Sequence, residues 1–285
     1  HRGPSPIFCS LAATLAPHEL SLSPLGPQIA SLSPATLGGQ HYLLAELRAP
    51  LDVAQRAELG TLAALGAFFE YYASLGDEPG PWLRPIETGF VPRLPADLLY
   101  ARRYKGKTNE IFTQFLLNVA RHASAFGCAP WRDLRVIDPL AGGGTTLLAA
   151  LVLGADAAGV DRNEQDMQST AVFLRQFARE AGIPCRVVTE RLRGLGHRWS
   201  LTLGGEPGQR CILAHGATSQ VDALLQGFHG AHLLVADLPY GIQHQGPVSA
   251  LLAEALPVWT GLLLPGGAMA LAWDATRFGR SRMVG

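Results

Sequence analysis

Two short stretches of this chain carry residues able to do chemistry. In the first, Val136-Ile137-Asp138-Pro139-Leu140-Ala141-Gly142-Gly143-Gly144-Thr145-Thr146, an apolar run ends on an acid, turns through small residues and enters an alanine- and leucine-rich segment. That order predicts a strand, a glycine loop and a helix N-terminus. Such a turn lets a ligand approach the backbone closely and aims free N–H groups at it. The second stretch, Asp237-Leu238-Pro239-Tyr240, closes the apolar run Ala231 to Ala236 about a hundred residues later. Two strand ends therefore deliver acids and an aromatic ring to one edge of a sheet, where open α/β folds bind ligands.

The glycine loop counts against two nucleotide readings. Leu147 stands where the third glycine of a dinucleotide fingerprint belongs, and no lysine is present for a phosphate-cradling loop. What remains is Asp-Pro-x-x-Gly-x-Gly-Thr-Thr. Paired with Asp-Leu-Pro-Tyr, in this order and at this separation, it resembles the class I methyltransferases that use S-adenosyl-L-methionine (AdoMet) and methylate exocyclic amines. Those enzymes carry an Asp/Asn-x-Pro-Tyr/Phe motif. The resemblance spans roughly residues 100 to 273, and Pro265-Gly266-Gly267 before the last strand is also typical of the family.

The resemblance implies AdoMet as cofactor, held by Thr108, Asp138, Ala141, Gly142, Gly144, Thr145, Asp161, Arg162, Ala217 and Thr218. Asp161 lies about 20 residues beyond the glycine loop, at a strand tip where an acid accepts both ribose hydroxyls. Its other reading is the N-cap of the helix that follows. Asp138 is expected to orient the loop and the ammonium end of the cofactor; the alternative is a structural turn carboxylate. The family usually shows Gly-Asp-Ala where this chain has Gly216-Ala217-Thr218, so the acid that would receive the adenine amino group is missing. Thr218, Ser219 or a backbone group must substitute.

In this reading Asp237, Leu238, Pro239 and Tyr240 are catalytic. An exocyclic amine delocalises its lone pair into the base and attacks a methyl sulfonium poorly. The Asp237 carboxylate and the Leu238 carbonyl can accept its two N–H bonds and aim the lone pair at the methyl group. Pro239 fixes the turn, and Tyr240 stacks on the base, a contact worth about 1–3 kcal/mol on comparable platforms. Flipping a base out of a helix costs a few kcal/mol. Positioning matters more than basicity, and no metal is needed. Taken alone, the tetrapeptide also fits a strand-ending turn. Leucine at its second position with Tyr-Gly following resembles the RNA guanine-N2 enzymes more than the DNA adenine-N6 or cytosine-N4 enzymes. His244, just beyond, either touches substrate or is uninvolved.

Arg102, Arg103, Lys105 and Lys107 form the densest basic cluster of the chain and include both of its lysines. One reading is phosphate contact with a nucleic acid, the other a solvated face. Thr108 or Asn109 follows as the N-cap of an amphipathic helix whose N-terminus could receive the cofactor carboxylate. Lys105-Gly106-Lys107-Thr108-Asn109 resembles the lead-in of the THUMP-linked tRNA guanine-N2 methyltransferases.

These groups need a frame. From residue 134 strands and helices alternate, which predicts a mostly parallel sheet. The strands are Leu134 to Asp138, Ala155 to Val160, Cys211 to Ala214, Ala231 to Ala236 and Ala268 to Trp273; helices cover Thr145 to Leu153, Asn163 to Glu180 and Val248 to Leu263. Cys185 to Thr189 and Trp199 to Leu203 read as a hairpin excursion whose arginines line a nucleic-acid path or stand dispersed on the surface. The fold class is α/β: a Rossmann-like class I methyltransferase sheet over residues 97–285, lacking its C-terminal strands, preceded by a small α/β module over 1–96. The fold normally adds two strands beyond the fifth, so a truncated C-terminus is expected. In the module, Pro6 to Leu11, Gln28 to Leu32 and His41 to Leu47 read as strands. Asp52 caps a long helix running through Leu59, Leu65 and Phe69 to Tyr72, and Asp77 to Pro95 reads as a linker or loop. RNA grasping competes there with a packing or docking role.

Composition narrows the setting. At 285 residues the chain can bury a sizeable core. The formal net charge is zero, so no overall field draws it to nucleic acid or membrane. Cys9, Cys128, Cys185 and Cys211 form no C-x-x-C pair, so neither a disulfide framework nor a zinc site is indicated and buried thiols are expected. No run reaches the roughly 20 apolar residues of a membrane span. The expected setting is the cytoplasm, with tRNA or other structured RNA as substrate and a protein partner possible. DNA amines or protein glutamine are alternative substrates, although asparagine is expected in place of Asp237 for glutamine. A non-catalytic RNA-binding scaffold is the alternative of another class.

Overall fold

The computed structural model describes residues 6–104, 106–228, 230–238 and 248–284, and the chain divides into two compact units, His1–Val91 and Pro92–Gly285. In the first, α1 (Pro6–Leu22) precedes an antiparallel hairpin of β1 (Ile29–Leu37) and β2 (Gln40–Leu47). Then come α2 (Val53–Leu59) and a second hairpin of β3 (Phe69–Leu75) and β4 (Glu78–Pro85). Leu20, Leu25, Leu59 and Leu62 are its buried centre, with Ile29, Leu32 and Leu43 packed against them.

Three expectations for this unit are corrected. Pro6–Leu11 is helical, because it runs directly into Leu11-Ala12-Ala13-Thr14-Leu15-Ala16, a stretch rich in the best helix formers. Asp52 does cap α2, with a reciprocal capping box to Gln55, but the helix stops at Gly60. Beyond it, the Glu19 carboxylate accepts from the Ala63 and Ala64 N–H groups, each at 2.9 Å, and holds the chain out of helical geometry. The aromatic run Phe69-Glu70-Tyr71-Tyr72 then follows its β preference. The supposed linker supplies the partner strand, joined through the two-residue turn Gly76-Asp77.

The second unit opens with α3 (Asp97–Ala101) and α4 (Glu110–Ala123). β5 (Arg135–Asp138), α5 (Thr145–Leu153), β6 (Asp156–Asp161) and α6 (Glu164–Glu180) follow. Next come β7 (Cys185–Leu192), β8 (Gly196–Leu203), β9 (Gln209–His215), α7 (Val221–Leu224), β10 (Ala231–Asp237), α8 (Val248–Leu262), β11 (Leu263–Ala272) and α9 (Arg280–Val284). The sheet order is β11-β10-β5-β6-β9-β8-β7. The five strands from β11 to β9 are parallel, and β7 and β8 extend the sheet antiparallel from β9. This is an open, Rossmann-like α/β sheet. The sheet has seven strands because the expected hairpin of β7 and β8 extends it at the β9 edge; among the described residues no strand pairs with the outer side of β11.

α5 is buried throughout and β5 and β10 at all but one end residue each, which is why they read as continuous apolar runs. The Pro265-Gly266-Gly267 turn falls inside β11, where the register with β10 shifts between Ala231 and Leu233. Of the cysteines expected to be buried, Cys211 is, and burial pushes its thiol up to about 12; Cys128 is exposed. No helix among the described residues is long and apolar enough to cross a membrane.

Candidate active site

The strand order places the crevice. From β5 the chain continues outward through β6 and β9 on one side and through β10 and β11 on the other. The carboxyl ends of β5 and β10 therefore flank a topological switch point, where neighbouring connections diverge and leave an opening. Asp138 ends β5, Asp161 ends β6 and Asp237 ends β10, so adjacent strands carry three acids to this edge.

Between Asp138 and α5 the loop turns on Gly142 (φ 49°) and Gly144 (φ 85°), both in the left-handed region that favours glycine. Gly144 is the N-cap of α5 without a capping side chain, so the helix starts on bare backbone N–H groups. Ala141 ties the loop to β6 through its N–H on the Val160 carbonyl (2.9 Å). Asp161 accepts from Gly142 N (2.8 Å) with Oδ2 and from Asn163 N (2.8 Å) with Oδ1. It holds the loop and the start of α6 together, and each oxygen keeps a second lone pair. The alternative N-cap role falls to Asn163, which caps α6.

Asp138 is buried. Its Oδ1 accepts from Leu140 N (3.0 Å), and Thr146 also bonds the carboxyl. Burial pushes its pKa from 3.8 to about 7, the hydrogen bonds oppose this, and the neighbouring charges of Asp161 and Asp237 add to it. Asp237 is also raised, by burial first, with a Thr108 hydrogen bond in opposition. Thr108 Oγ1 donates to Asp237 Oδ2 at 3.0 Å. Thr108, expected at a cofactor carboxylate, thus reaches the predicted catalytic acid, while Asn109 caps α4 by accepting from Phe112 N (2.9 Å).

The basic cluster divides. Arg102 turns inward: its guanidinium donates to the Gly143 carbonyl, Thr170 Oγ1 and Ser169 Oγ, and lies over the rings of Tyr104 and Phe173. Lys107 donates to the Leu99 and Arg102 carbonyls (2.8 and 2.9 Å) and pairs with Glu110 at 2.5 Å. Both cations, expected on phosphates, hold the protein's own backbone. Arg103 is exposed, and Lys105 lies outside the described residues. Tyr104, to which sequence reasoning assigned nothing, bonds Thr145 Oγ1 through its hydroxyl, and its ring lies where a Gly143 side chain would stand. The signal was the glycine: Gly143 has no positive φ, so only a close neighbour requires it.

At the far edge, Thr218 is buried and accepts from Trp259 Nε1 (3.0 Å). Its hydroxyl oxygen thus has the Trp259 indole as one partner. Ala217 starts the short turn before it, and Arg162 is exposed. Leu238 buries its side chain beside Trp259 and ties to β11 through its N–H on the Ala272 carbonyl (2.8 Å). Pro239, Tyr240 and His244 lie outside the described residues.

No protein family and no curated protein matches the chain by sequence. Among solved structures it is similar to a hypothetical protein of Thermus thermophilus (17% identity, 66% of this chain and 82% of that one, TM-score 0.38). It is similar also to a T. thermophilus 16S rRNA N2 methyltransferase, RsmC, in complex with AdoMet and guanosine (13%, 86% and 42%, TM-score 0.34). A third is a putative methyltransferase, YhhF, of Escherichia coli (16%, 67% and 71%, TM-score 0.31). The chain spans under half the length of the RsmC structure.

The chemical character of the crevice follows from its acids. Burial first, and then the charges of Asp161 and Asp237, raise the cost of ionising Asp138, so this carboxyl binds its proton more tightly than usual. A ligand carrying positive charge would relieve that repulsion.

Proposed function

We propose that this chain is an AdoMet-dependent N-methyltransferase acting on an exocyclic amine of a nucleic-acid base, with guanine N2 of tRNA or other structured RNA as the favoured substrate. The observation that carries the reading is the trio Asp138, Asp161 and Asp237 on adjacent strand ends around a glycine loop at the switch point. AdoMet, when bound, supplies a methyl group on a positively charged sulfonium. The donor set fits it: Asp138 takes the ammonium end, the second lone pairs of Asp161 take the ribose hydroxyls, and the N–H groups opening α5 face the loop. Gly142, Gly144, Ala141 and Thr145 shape the cradle. The adenine edge is the weaker fit, with Ala217 in place of an acid and Thr218 bonded to Trp259.

Asp237 then does the substrate's work. Thr108 fixes Oδ2, and among the described residues nothing occupies Oδ1, which is left to accept one N–H of the amine. The Leu238 carbonyl accepts the second, and Leu238 is anchored by its burial and its β11 hydrogen bond. The lone pair is thereby turned out of conjugation without a strong base. Pro239 and Tyr240 have the turn and stacking roles argued from sequence, and Arg103 is the described member of the basic cluster available to a phosphate.

Calorimetric titration of AdoMet and its demethylated product, with Asp161→Ala as control, tests the cofactor. Methyl transfer to tRNA, rRNA fragments and DNA, with Asp237→Ala, tests the substrate. Micromolar binding lost in the control and transfer to RNA lost in the second variant are expected. A second reading, a scaffold retaining the fold, is favoured by Ala217 and the engaged Thr218; absence of binding by both ligands would select it.

A further inference from the structure

Beside Asp161, whose register partner on β9 is His215, a different set of side chains converges. Glu164 lies in the first turn of α6, His197 near the start of β8 and His215 at the end of β9. His197 and His215 are register partners on antiparallel strands, so their side chains share one face of the sheet. Glu164 sits over that face: Oε1 contacts His197 Nδ1, and Oε2 lies 3.9 Å from His215 Nδ1. One ligand atom from each residue falls within 4.8 Å of the others.

The arrangement is poorly explained as an ion pair. A single imidazole beside a carboxylate would suffice for that, and Glu164 already has one in His197. The second imidazole faces the same carboxylate at a distance too long for a hydrogen bond. Its Nδ1 is shielded from solvent and has no hydrogen-bond partner, an uncommon condition for a buried nitrogen. A cation between the three groups satisfies the orphaned nitrogen and the carboxylate together. Two imidazoles and one carboxylate are a donor set used by zinc, with ligand distances of about 2.0–2.2 Å and therefore ligand atoms about 3.4 Å apart. The 3.9 Å gap lies close to that spacing, and the much shorter Glu164–His197 contact would have to open to admit the ion. The side chains are 44%, 36% and 29% exposed, so an ion can enter and a fourth position faces water.

We propose that Glu164, His197 and His215 form a binding site for a divalent transition metal of the zinc type, clipping the β7–β8 hairpin to the start of α6. The site needs nothing from the methyltransferase reading. It was not legible in sequence because its ligands are 33 and 18 positions apart and form no local motif.

The test uses the full chain without a polyhistidine tag, stripped with chelator and titrated with zinc against a chromogenic competitor; cobalt is then used for its visible spectrum. Expected are one equivalent bound, a rise in melting temperature on zinc addition, and tetrahedral cobalt bands without thiolate charge transfer. His215→Gln and Glu164→Gln should each weaken binding by more than about tenfold, since even outer-shell partners cost about that much. Glu164 is half-buried at the start of a helix, outside the strands, so Glu164→Gln remains informative if the strand variant fails to fold. Zinc bound equally by Glu164→Gln, a cobalt spectrum showing thiolate ligation, or no competition with the chelator would each overturn the proposal.

Discussion

Replacing Asp138 by asparagine should stabilise the apo protein at alkaline pH while weakening its binding of a cationic ligand. The carboxyl is buried and its pKa is raised from 3.8 to about 7. Between those values the unfolded chain is ionised and the native chain protonated. The native state then holds the extra proton, so stability falls as pH rises through this window and levels off above about 7. At about 1.4 kcal/mol per pH unit, the loss between pH 5.5 and 7 is about 2 kcal/mol, and the whole cost at pH 8 approaches about 4 kcal/mol. Asparagine keeps an oxygen for Leu140 N and Thr146 but has no proton to lose. Denaturant unfolding of wild type and Asp138→Asn from pH 5.5 to 8.5 should give curves that diverge by about 2 kcal/mol in favour of the variant. AdoMet affinity should rise with pH through 7 in the wild type and be weak and flat in the variant. Parallel stability curves would refute the argument, because they would mean that Asp138 is already ionised at pH 5.5.

Asp237→Ala should lower methyl transfer by about 10²–10³-fold, the usual loss of a group aligned on the reacting centre, while calorimetry shows AdoMet binding retained. Arg102→Ala should lower unfolding stability by at least about 2 kcal/mol, since it removes charged hydrogen bonds inside the domain, and leave the salt dependence of RNA binding unchanged. Arg103→Ala should do the reverse, reducing the slope of log affinity against log salt by about 1 in filter-binding or fluorescence titrations. Gly143→Ala should cost about 1–3 kcal/mol through overlap with Tyr104, and a double-mutant cycle with Tyr104→Ala should recover most of it.

What was legible in sequence had a local cause. The helix Thr145–Leu153 is read to the residue because its start is a glycine loop and its end is Gly154, in the left-handed conformation. Asp138, Asp161 and Asp237 are found because each terminates an apolar run, which is what a strand end at the mouth of a buried parallel sheet looks like. The errors arose where a distant group decided. Nothing near Phe69 says that Glu19 will seize the Ala63 and Ala64 amides and stop a helix that the apolar spacing would have continued. Arg102 and Lys107 carry the same charge as Arg103 in the same cluster; only the fold shows that the first two have carbonyl partners.

That division changes what the lead-in segment is for. Arg102 secures the Gly143 carbonyl, Tyr104 packs on Gly143 and bonds Thr145, and Thr108 holds Asp237. Within seven residues, the segment touches the glycine loop, the start of α5 and the acid at the end of β10. Lys107 braces it from behind through two carbonyls and Glu110. The glycine loop and Asp237 lie on neighbouring strands paired through β5 and β10, and on the proposed function their separation would have to be held closely. One strap bonded to both supplies that constraint, and it accounts for a cluster of positive charge in a chain whose formal net charge is zero. On this view the cations are conscripted first by geometry. Only Arg103, with its side chain in water, is left among the described members to meet a phosphate.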